Sequence, residues 1–281
     1  MHKTSIPAII DRKKTGKKIT GLTAYDYTFA QLLNETSIDL ILVGDSLGMV
    51  SLGYENTLPV TIEDIIYHLK AVRRGLQKPI LVGDMPFMSY QISNESAVKN
   101  AGRLIKEGGA EAVKIEGAGK MIERIQATVD AGISVMGHIG LTPQSVHQFG
   151  GYRVQGKSFQ EARQIRKDAE KLQKAGVFSI VLEGIPMELS EEITNSLDIP
   201  TIGIGAGIHC DGQILVLQDM LGLNEGFLPK YVKQFAELGL QTKKAIHDYI
   251  QSVQSGTFPN NKNSYHLKTK ILKKVEGQNQ S

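Results

Sequence analysis

In the segment LVGDSLG, residues 42–48, an apolar run is followed by an acidic residue. The segments LVGDMPF (residues 81–87) and AVKIEG (residues 112–117) show a similar pattern. Continuous apolar runs, unlike alternating ones, are typical of parallel strands that are buried on both faces. Asp45, Asp84 and Glu116 therefore stand at or just beyond the carboxyl ends of three predicted strands. The three segments predict an α/β protein with acidic side chains along one edge of its sheet.

Eight such runs recur along the chain, with helical patterns between most of them. The predicted strands are Ile19–Ala24, Leu40–Gly44, Ile80–Asp84, Ala112–Glu116, Ser134–His138, Ser179–Glu183, Thr201–Gly205 and Ile214–Gln218. The predicted helices are Thr61–Leu76, Ser93–Gly108, Phe159–Ala175 and Ser190–Leu197. Thr61 and Ser93 are the expected N-caps, because their hydroxyls can accept from the first free amides of a helix. Strands that alternate with helices favour right-handed βαβ units.

A closed (β/α)8 TIM barrel and a doubly wound open sheet both fit this alternation. Polar residues follow or end five successive strands: Asp45, Asp84, Glu116, His138 and Glu183. In a barrel these strand ends meet at one mouth, where active sites lie, whereas in an open sheet they would be spread apart. The length of 281 residues also suits one barrel. We therefore predict the barrel, as a single domain over residues 1–256 with an N-terminal extension.

The segment from residue 257 to residue 281 loses apolar periodicity, which predicts a peripheral arm and a lysine-rich tail. The net charge of +3 comes largely from that tail, so no nucleic-acid or membrane partner is expected. A single cysteine excludes an intramolecular disulfide and a thiolate metal cluster. No signal peptide and no membrane span is recognised, so a cytoplasmic protein is expected.

Asp45, Asp84 and Glu116 are the candidate ligands of a metal ion. Carboxylate oxygens are hard ligands that suit magnesium, and with no thiolate available zinc is less favoured. The alternative is that each acid caps a helix or pairs with a basic side chain. One such partner is Lys114, which lies two residues before Glu116 and so points to the same side of the strand. Lys114 is expected to pair with an acid, to bind substrate, or both.

Glu183 is the candidate general base, because a carboxylate at the end of a mostly apolar strand suits proton transfer. A fourth metal ligand or a helix cap is the alternative for this residue. His138 is either a donor to substrate or a satisfied core histidine. The glycines between Gly203 and Gly207 are expected where backbones approach closely, rather than as a phosphate cradle. The segment Gly150–Tyr152 is a candidate lid.

Longer motifs connect these residues. LTAYDYTFA, LVGDSLGMV, TLPVT, DMPFMSY, VKIEG, GHIGLTPQSVHQFGGYRVQG, LEGIP and GIGAG with DGQILV occur in this order. Together, from about Thr4 to about His266, they resemble the ketopantoate hydroxymethyltransferases. The resemblance implies a barrel like those of phosphoenolpyruvate mutase and isocitrate lyase. It also implies magnesium as cofactor, 5,10-methylenetetrahydrofolate as co-substrate and a homodecamer of five-fold rings.

The resemblance implies hydroxymethyl transfer to 3-methyl-2-oxobutanoate, which gives 2-dehydropantoate on the route to pantothenate and coenzyme A. By motif, Asp45, Asp84 and Glu116 would surround magnesium and Glu183 would accept the proton. Residues carried over as substrate contacts are Asp45, Ser46, Asp84, Lys114 and His138, with Tyr25 as a wall residue. A lyase of the same superfamily and a non-enzymatic binding barrel are the alternatives.

The sequence departs from the family pattern at four positions outside the carboxylate set. These positions are Gly184, Ile208, His209 and Gln218. None of them alters the predicted metal ligands or the predicted base. These departures therefore bear on the predicted folate contacts and oligomer surface, and not on the predicted chemistry.

Overall fold

A computed structural model describes residues 3–146, 150–151, 153–224, 226 and 228–267. These residues contain a closed barrel of parallel strands in the order β1 to β8, so the predicted (β/α)8 fold class is confirmed and the open sheet is excluded. The strands are β1 Ile19–Thr23, β2 Leu40–Val43, β3 Ile80–Asp84, β4 Ala112–Glu116, β5 Val135–Gly140, β6 Ser179–Glu183, β7 Thr201–Ile204 and β8 Gly212–Leu215.

Helices surround the barrel and precede it. They are α1 Ile6–Thr15, α2 Tyr27–Asn34, α3 Leu47–Val50, α4 Ile62–Gly75, α5 Asn94–Lys106, α6 Met121–Asp130, α7 Phe159–Lys174, α8 Met187–Ser196, α9 Leu217–Met220 and α10 Leu238–Gln254. Both predicted N-caps are confirmed. The Thr61 hydroxyl accepts from the amide of Asp64, whose carboxylate in turn accepts from the amide of Thr61, and Ser93 caps α5 through the amide of Ser96.

The eighth repeat differs from the prediction. Strand β8 begins at Gly212 and ends at Leu215, and Leu217 to Met220 form a helix instead of continuing the predicted strand. The apolar run from Ile214 to Leu217 has no strand-specific period, and short runs of this kind fit a buried strand or a buried helix equally well. Seven residues, 205–211, join β7 to β8 without a helix.

Helix α8 also begins earlier than predicted, at Met187 rather than Ser190. Pro186 occupies its N-cap position, and proline tolerates the start of a helix because the missing N–H would have had no partner there. Asp45, Asp84 and Glu116 keep their predicted places at the mouth of the barrel despite these shifts.

Two apolar layers hold the barrel together. The inner layer is formed by inward side chains of the strands, including Leu40, Val82 and Ile202, and Ile9 of α1 joins it. Because α1 precedes β1, the N-terminal extension contributes directly to the barrel core. The outer layer lies between the strands and the surrounding helices and contains most of the remaining buried apolar side chains.

The last described helix, α10, has no buried residue. Its exposed apolar side chains include Ile246, Tyr249, Ile250 and Val253, whose spacing places them on one face of the helix. No helix within the described ranges is both long and apolar enough to cross a bilayer. The lysines predicted to form the tail, from Lys268 onward, and Tyr152 of the predicted lid lie outside the described residues.

Two helical glycines give a matched test of packing between the outer helices. A Cβ at Gly75 would lie 2.8 Å from the carbonyl oxygen of Tyr27 and 2.9 Å from Cβ of Ala30, whereas a Cβ at Gly102 would meet nothing within 4 Å. We expect Gly75→Ala to lower the free energy of unfolding by about 1–3 kcal/mol through overpacking. Gly102→Ala should raise it by about 0.5–1 kcal/mol. Thermal unfolding measures both, and equal shifts in the same direction would contradict the packing of α2 on α4.

Candidate active site

The carboxyl ends of the strands open into a cavity of about 1430 Å³. Every residue predicted to act in catalysis or binding lines it except Tyr25, which is buried behind Ser46. The lining members of the predicted set are Asp45, Ser46, Asp84, Lys114, Glu116, His138 and Glu183. The structure therefore brings together side chains that are separated by as many as 138 residues in sequence.

Strand register decides which of these side chains meet. Asp84 on β3 pairs with Lys114 on β4, and Glu116 on β4 pairs with His138 on β5. Residues paired in this way project side by side, so an acid faces a base across each of the two strand boundaries. Glu183 at the end of β6 pairs with Gly140 of β5, which places its carboxylate beyond His138 along the rim.

Asp45 and Asp84 are buried next to each other. The backbone amide of Asp45 donates to Oδ2 of Asp84 at 3.0 Å. Oδ1 of Asp84 forms an ion pair with Nζ of Lys114 at 2.9 Å. No donor among the described residues makes a hydrogen bond to this oxygen. One oxygen of this buried carboxylate therefore lacks a hydrogen bond.

Lys114 is the buried cation at the centre of the site. Its ammonium group lies 3.0 Å from Oε1 of Glu116, besides its contact with Asp84. The predicted pairing with an acid is confirmed, and it involves both acids rather than one. Burial opposes the charged form of Lys114, but Asp84, Glu116 and Asp45 together raise its pKa well above the ordinary value, so it stays protonated.

His138 lies between two carboxylates. Nδ1 is 3.2 Å from Oε1 of Glu116 and 3.3 Å from Nζ of Lys114. Nε2 is 3.2 Å from Oε2 of Glu183, at an angle too poor for a hydrogen bond. Burial and Lys114 act to lower the pKa of His138, but the contacts with Glu116 and Glu183 raise it to about 9. His138 is therefore part of the polar site and not an isolated core histidine.

The carboxylates respond differently to this surrounding. Burial, followed by repulsion from Asp84 and Glu116, raises the pKa of Asp45 well above its ordinary value, and burial also raises the pKa of Asp84. Burial acts the same way on Glu116, but Lys114 and His138 outweigh it and lower the pKa of Glu116 to about 2. Burial therefore opposes the charged forms of Asp45 and Asp84, whereas Glu116 keeps its charge.

Ser46 is held in place by a buried tyrosine. The hydroxyls of Tyr25 and Ser46 are 2.8 Å apart, and the backbone carbonyl of Tyr25 contacts Nδ1 of His68 at 2.6 Å. Burial raises the pKa of Tyr25, so its hydroxyl keeps a proton. The predicted wall residue thus fixes the predicted substrate contact instead of lining the cavity itself.

Gln144 is a site residue that the sequence reasoning missed. Its side-chain nitrogen donates to Oδ2 of Asp45 and to the carbonyl oxygen of Met85, both at 3.0 Å. Its side-chain oxygen accepts from the hydroxyl of Tyr90 at 2.8 Å, and its backbone amide donates to Oε2 of Glu116 at 3.2 Å. Its position in the GLTPQ run was the available signal, because that run directly follows the strand that carries His138.

Part of the cavity wall is apolar. Leu42, Val181 and Ile214 are buried members of the inner barrel layer that also line the cavity. They come from β2, β6 and β8, whereas the charged side chains come mainly from β3, β4 and β5. The site therefore has a polar arc and an apolar arc around one mouth, which suits a small molecule with one charged end and one hydrocarbon end.

Glycines after β7 are required by close packing, as predicted. Gly205 has a φ of +64°, and a Cβ at this position would lie 2.6 Å from the ring of Tyr231. Gly207 has a φ of +81°, and a Cβ there would overlap the side chain of Met187. Side chains at these positions would close the outer part of the cavity, because Tyr231 and Met187 both line it.

The fit of a metal ion can be tested on these contacts. In the part of the chain that the structure describes, no three His, Cys, Asp or Glu side chains are grouped as a ready-made metal site. Two features nevertheless fit a hard cation: Oδ1 of Asp84 has no hydrogen-bond donor among the described residues, and the buried carboxylate of Asp45 lies beside that of Asp84. Magnesium is commonly held by one or two carboxylates together with water and substrate oxygens.

Sequence comparison places the chain among known proteins. A sequence model described as ketopantoate hydroxymethyltransferase matches residues 3–261. The 3-methyl-2-oxobutanoate hydroxymethyltransferase of Clostridioides difficile (strain 630) is 56% identical over 273 residues, which cover 97% of this chain and 99% of the relative. The protein of the same name from Thermoanaerobacter sp. (strain X514) is 56% identical over 255 residues, covering 91% and 93%.

Solved structures share the fold at much lower identity. A phosphonopyruvate hydrolase, in complex with oxalate and Mg²⁺, superposes with a TM-score of 0.61 at 10% identity, covering 99% of this chain and 96% of that one. A 2,3-dimethylmalate lyase of the phosphoenolpyruvate mutase/isocitrate lyase superfamily gives 0.59 at 15% identity, covering 100% and 97%. The barrel is thus of the type found in that superfamily, and by the extent of its sequence match the chain belongs to the ketopantoate hydroxymethyltransferase family.

Proposed function

We propose that this protein transfers a hydroxymethyl group from 5,10-methylenetetrahydrofolate to 3-methyl-2-oxobutanoate, giving 2-dehydropantoate for pantothenate and coenzyme A biosynthesis. The observation that carries the proposal is the buried set Asp45, Asp84, Lys114 and Glu116, with Glu183 beside it, in a chain of this family. A 2-oxo acid needs such a site, because its carboxylate and oxo oxygens must be bound while the carbon next to the oxo group loses a proton.

We propose Asp45, Asp84 and Glu116 as the carboxylates that surround magnesium. Asp45 and Asp84 are the direct candidates, since Glu116 already accepts from Lys114 through Oε1 and from the amide of Gln144 through Oε2. When bound, magnesium supplies a Lewis acid that polarises the carbonyl group of a bound oxo acid.

The residues of the chain supply the remaining functions. Ser46 would donate to the substrate carboxylate, with Tyr25 holding its hydroxyl in place. Lys114 and His138 would stabilise the negative charge that develops on the 2-oxo oxygen after proton removal. Glu183, at the rim beyond His138, would take the proton from C3.

The carbon–carbon bond then forms between C3 and the one-carbon unit of the folate. The electrons of the broken C–H bond form this new bond, and both C–N bonds of the methylene carbon break. Water supplies the hydroxyl group, and its remaining proton and the proton taken from C3 go to the two nitrogens of the departing tetrahydrofolate. Leu42, Val181 and Ile214 would contact the two methyl groups on C3. The cavity of about 1430 Å³ exceeds what a five-carbon acid fills, which leaves its outer part for the folate.

We further propose a cytoplasmic homo-oligomer, with the decamer of the family as the expected form. The support lies in two apolar surfaces: the exposed stripe of α10 and a groove between α2 and α9 that includes Phe29, Leu32 and Leu221. Apolar patches of this kind mark protein–protein contacts. A second copy of the chain is the natural occupant, because its α10 carries a matching apolar face.

Replacing the base tests the proposed chemistry. Glu183→Gln keeps the shape of the side chain but cannot accept a proton, so we expect exchange of the C3 hydrogen of 3-methyl-2-oxobutanoate with deuterium to fall about 10²–10⁴-fold. Proton NMR in D₂O, with the oxo acid and Mg²⁺ but no folate, measures the rate. Glu188→Gln, on the exposed surface of α8, is the control and should exchange normally. Exchange by Glu183→Gln at the wild-type rate would reject Glu183 as the base.

Substrate selectivity tests the apolar arc. Val181→Ala enlarges the space beside C3, so we expect the ratio of kcat/KM for 3-methyl-2-oxopentanoate to that for 3-methyl-2-oxobutanoate to rise about 10-fold. A ratio is insensitive to the fraction of folded enzyme. Val177→Ala removes the same two methyl groups from a buried position outside the cavity and should leave the ratio unchanged. Equal ratios in both variants would show that Val181 does not contact the substrate.

Mass in solution tests the assembly. Sedimentation velocity is expected to give ten times the mass of one chain. Ile250→Glu places a charge within the apolar stripe of α10 and should yield smaller species, whereas Gln251→Glu, directed away from the stripe, should keep the full assembly. A monomeric wild-type protein, or equal effects of the two variants, would contradict the role of this face.

A further inference from the structure

The side-chain amide of Gln144 has a single chemically consistent orientation. Its nitrogen faces two acceptors, Oδ2 of Asp45 and the carbonyl oxygen of Met85. Its oxygen faces the hydroxyl of Tyr90. Exchanging nitrogen and oxygen would set an acceptor against two acceptors and leave both without hydrogen bonds. The amide nitrogen therefore always donates to Asp45.

The backbone of the same residue contacts a second carboxylate. Its amide donates to Oε2 of Glu116, so Gln144 joins an acid that follows β2 to an acid that ends β4. Tyr90, from the loop after β3, donates at the other side of the amide and is itself buried.

We infer that Gln144 is a positioning residue for the cation site: by holding Oδ2 of Asp45 and Oε2 of Glu116, it keeps the other oxygen of Asp45 available to a divalent cation. This inference rests on the proposed function, although Gln144 itself would touch neither the substrate nor the ion. Hydrogen-bond partners of this kind typically change metal affinity by about 10–100-fold when they are removed.

Magnesium affinity in the absence of substrate tests the inference. Gln144→Met keeps the length of the side chain and the backbone amide but removes the hydrogen bonds to Asp45 and Tyr90. Isothermal titration calorimetry with Mg²⁺ should show binding about 10–100-fold weaker than in the wild type. Raising the Mg²⁺ concentration should restore most of kcat, which a merely structural defect would not allow. Gln155→Met, whose side chain donates to the carbonyl of Arg153 and contacts neither Asp45 nor Glu116 among the described residues, is the matched control and should bind Mg²⁺ normally.

Tyr90→Phe keeps the test decisive if Gln144→Met does not fold. Loss of the tyrosine hydroxyl leaves Gln144 in place but removes the shorter of the two hydrogen bonds that its side-chain oxygen accepts, the other coming from Gln91, so Mg²⁺ binding should weaken several-fold. Unchanged affinity in a folded Gln144→Met, or in Tyr90→Phe when that is the only folded variant, overturns the inference. Absence of Mg²⁺ binding by the wild type overturns it as well. A wild type that binds Mg²⁺ but does not transfer hydroxymethyl groups would reject the proposed function and leave the role of Gln144 at the ion intact.

Discussion

Three buried carboxylates share one buried ammonium group at the mouth of the barrel, and the rest of the site depends on this imbalance. Lys114 compensates Asp84 and Glu116 directly, at 2.9 and 3.0 Å, but it cannot compensate Asp45 to the same degree. Burying an unpaired charge is costly in free energy. Buried carboxylates in excess of the buried cations are therefore expected to bind a cation or a proton that neutralises them. The raised pKa of Asp45 and the lowered pKa of Glu116 report this uneven distribution.

The barrel fold brings these charged side chains together, because strand register, and not proximity in sequence, decides which side chains are neighbours. Asp84 beside Lys114 and Glu116 beside His138 are consequences of how β3, β4 and β5 are aligned. The layer below consists mainly of apolar side chains, and the charged groups line the cavity above it. A shift of one residue in any of these strands would turn its charged side chain toward the outer helices.

Sequence reasoning recovered what depends on local pattern and on strand ends. Asp45, Asp84, Lys114, Glu116, His138 and Glu183 could be found because the carboxyl ends of barrel strands converge, and Thr61 and Ser93 because N-caps are local. The end of β8 was misplaced because the run from Ile214 to Leu217 carries no period. Gln144 was missed because its partners lie 28 to 99 residues away, and nothing in a glutamine after a proline indicates which carboxylates it will meet.

If Asp45 and Asp84 hold a cation as proposed, a second lysine in its place would not serve the same reaction. A further ammonium group beside Asp45 would pair that carboxylate fully, and the cavity would then offer an oxo acid no open coordination position. A divalent ion neutralises the same charge while accepting oxygens from protein and substrate together. It also leaves when the charge around it changes, which a side chain cannot do. On the proposed function, the buried acids form a position for an ion and not a set of ion pairs that lacks a partner.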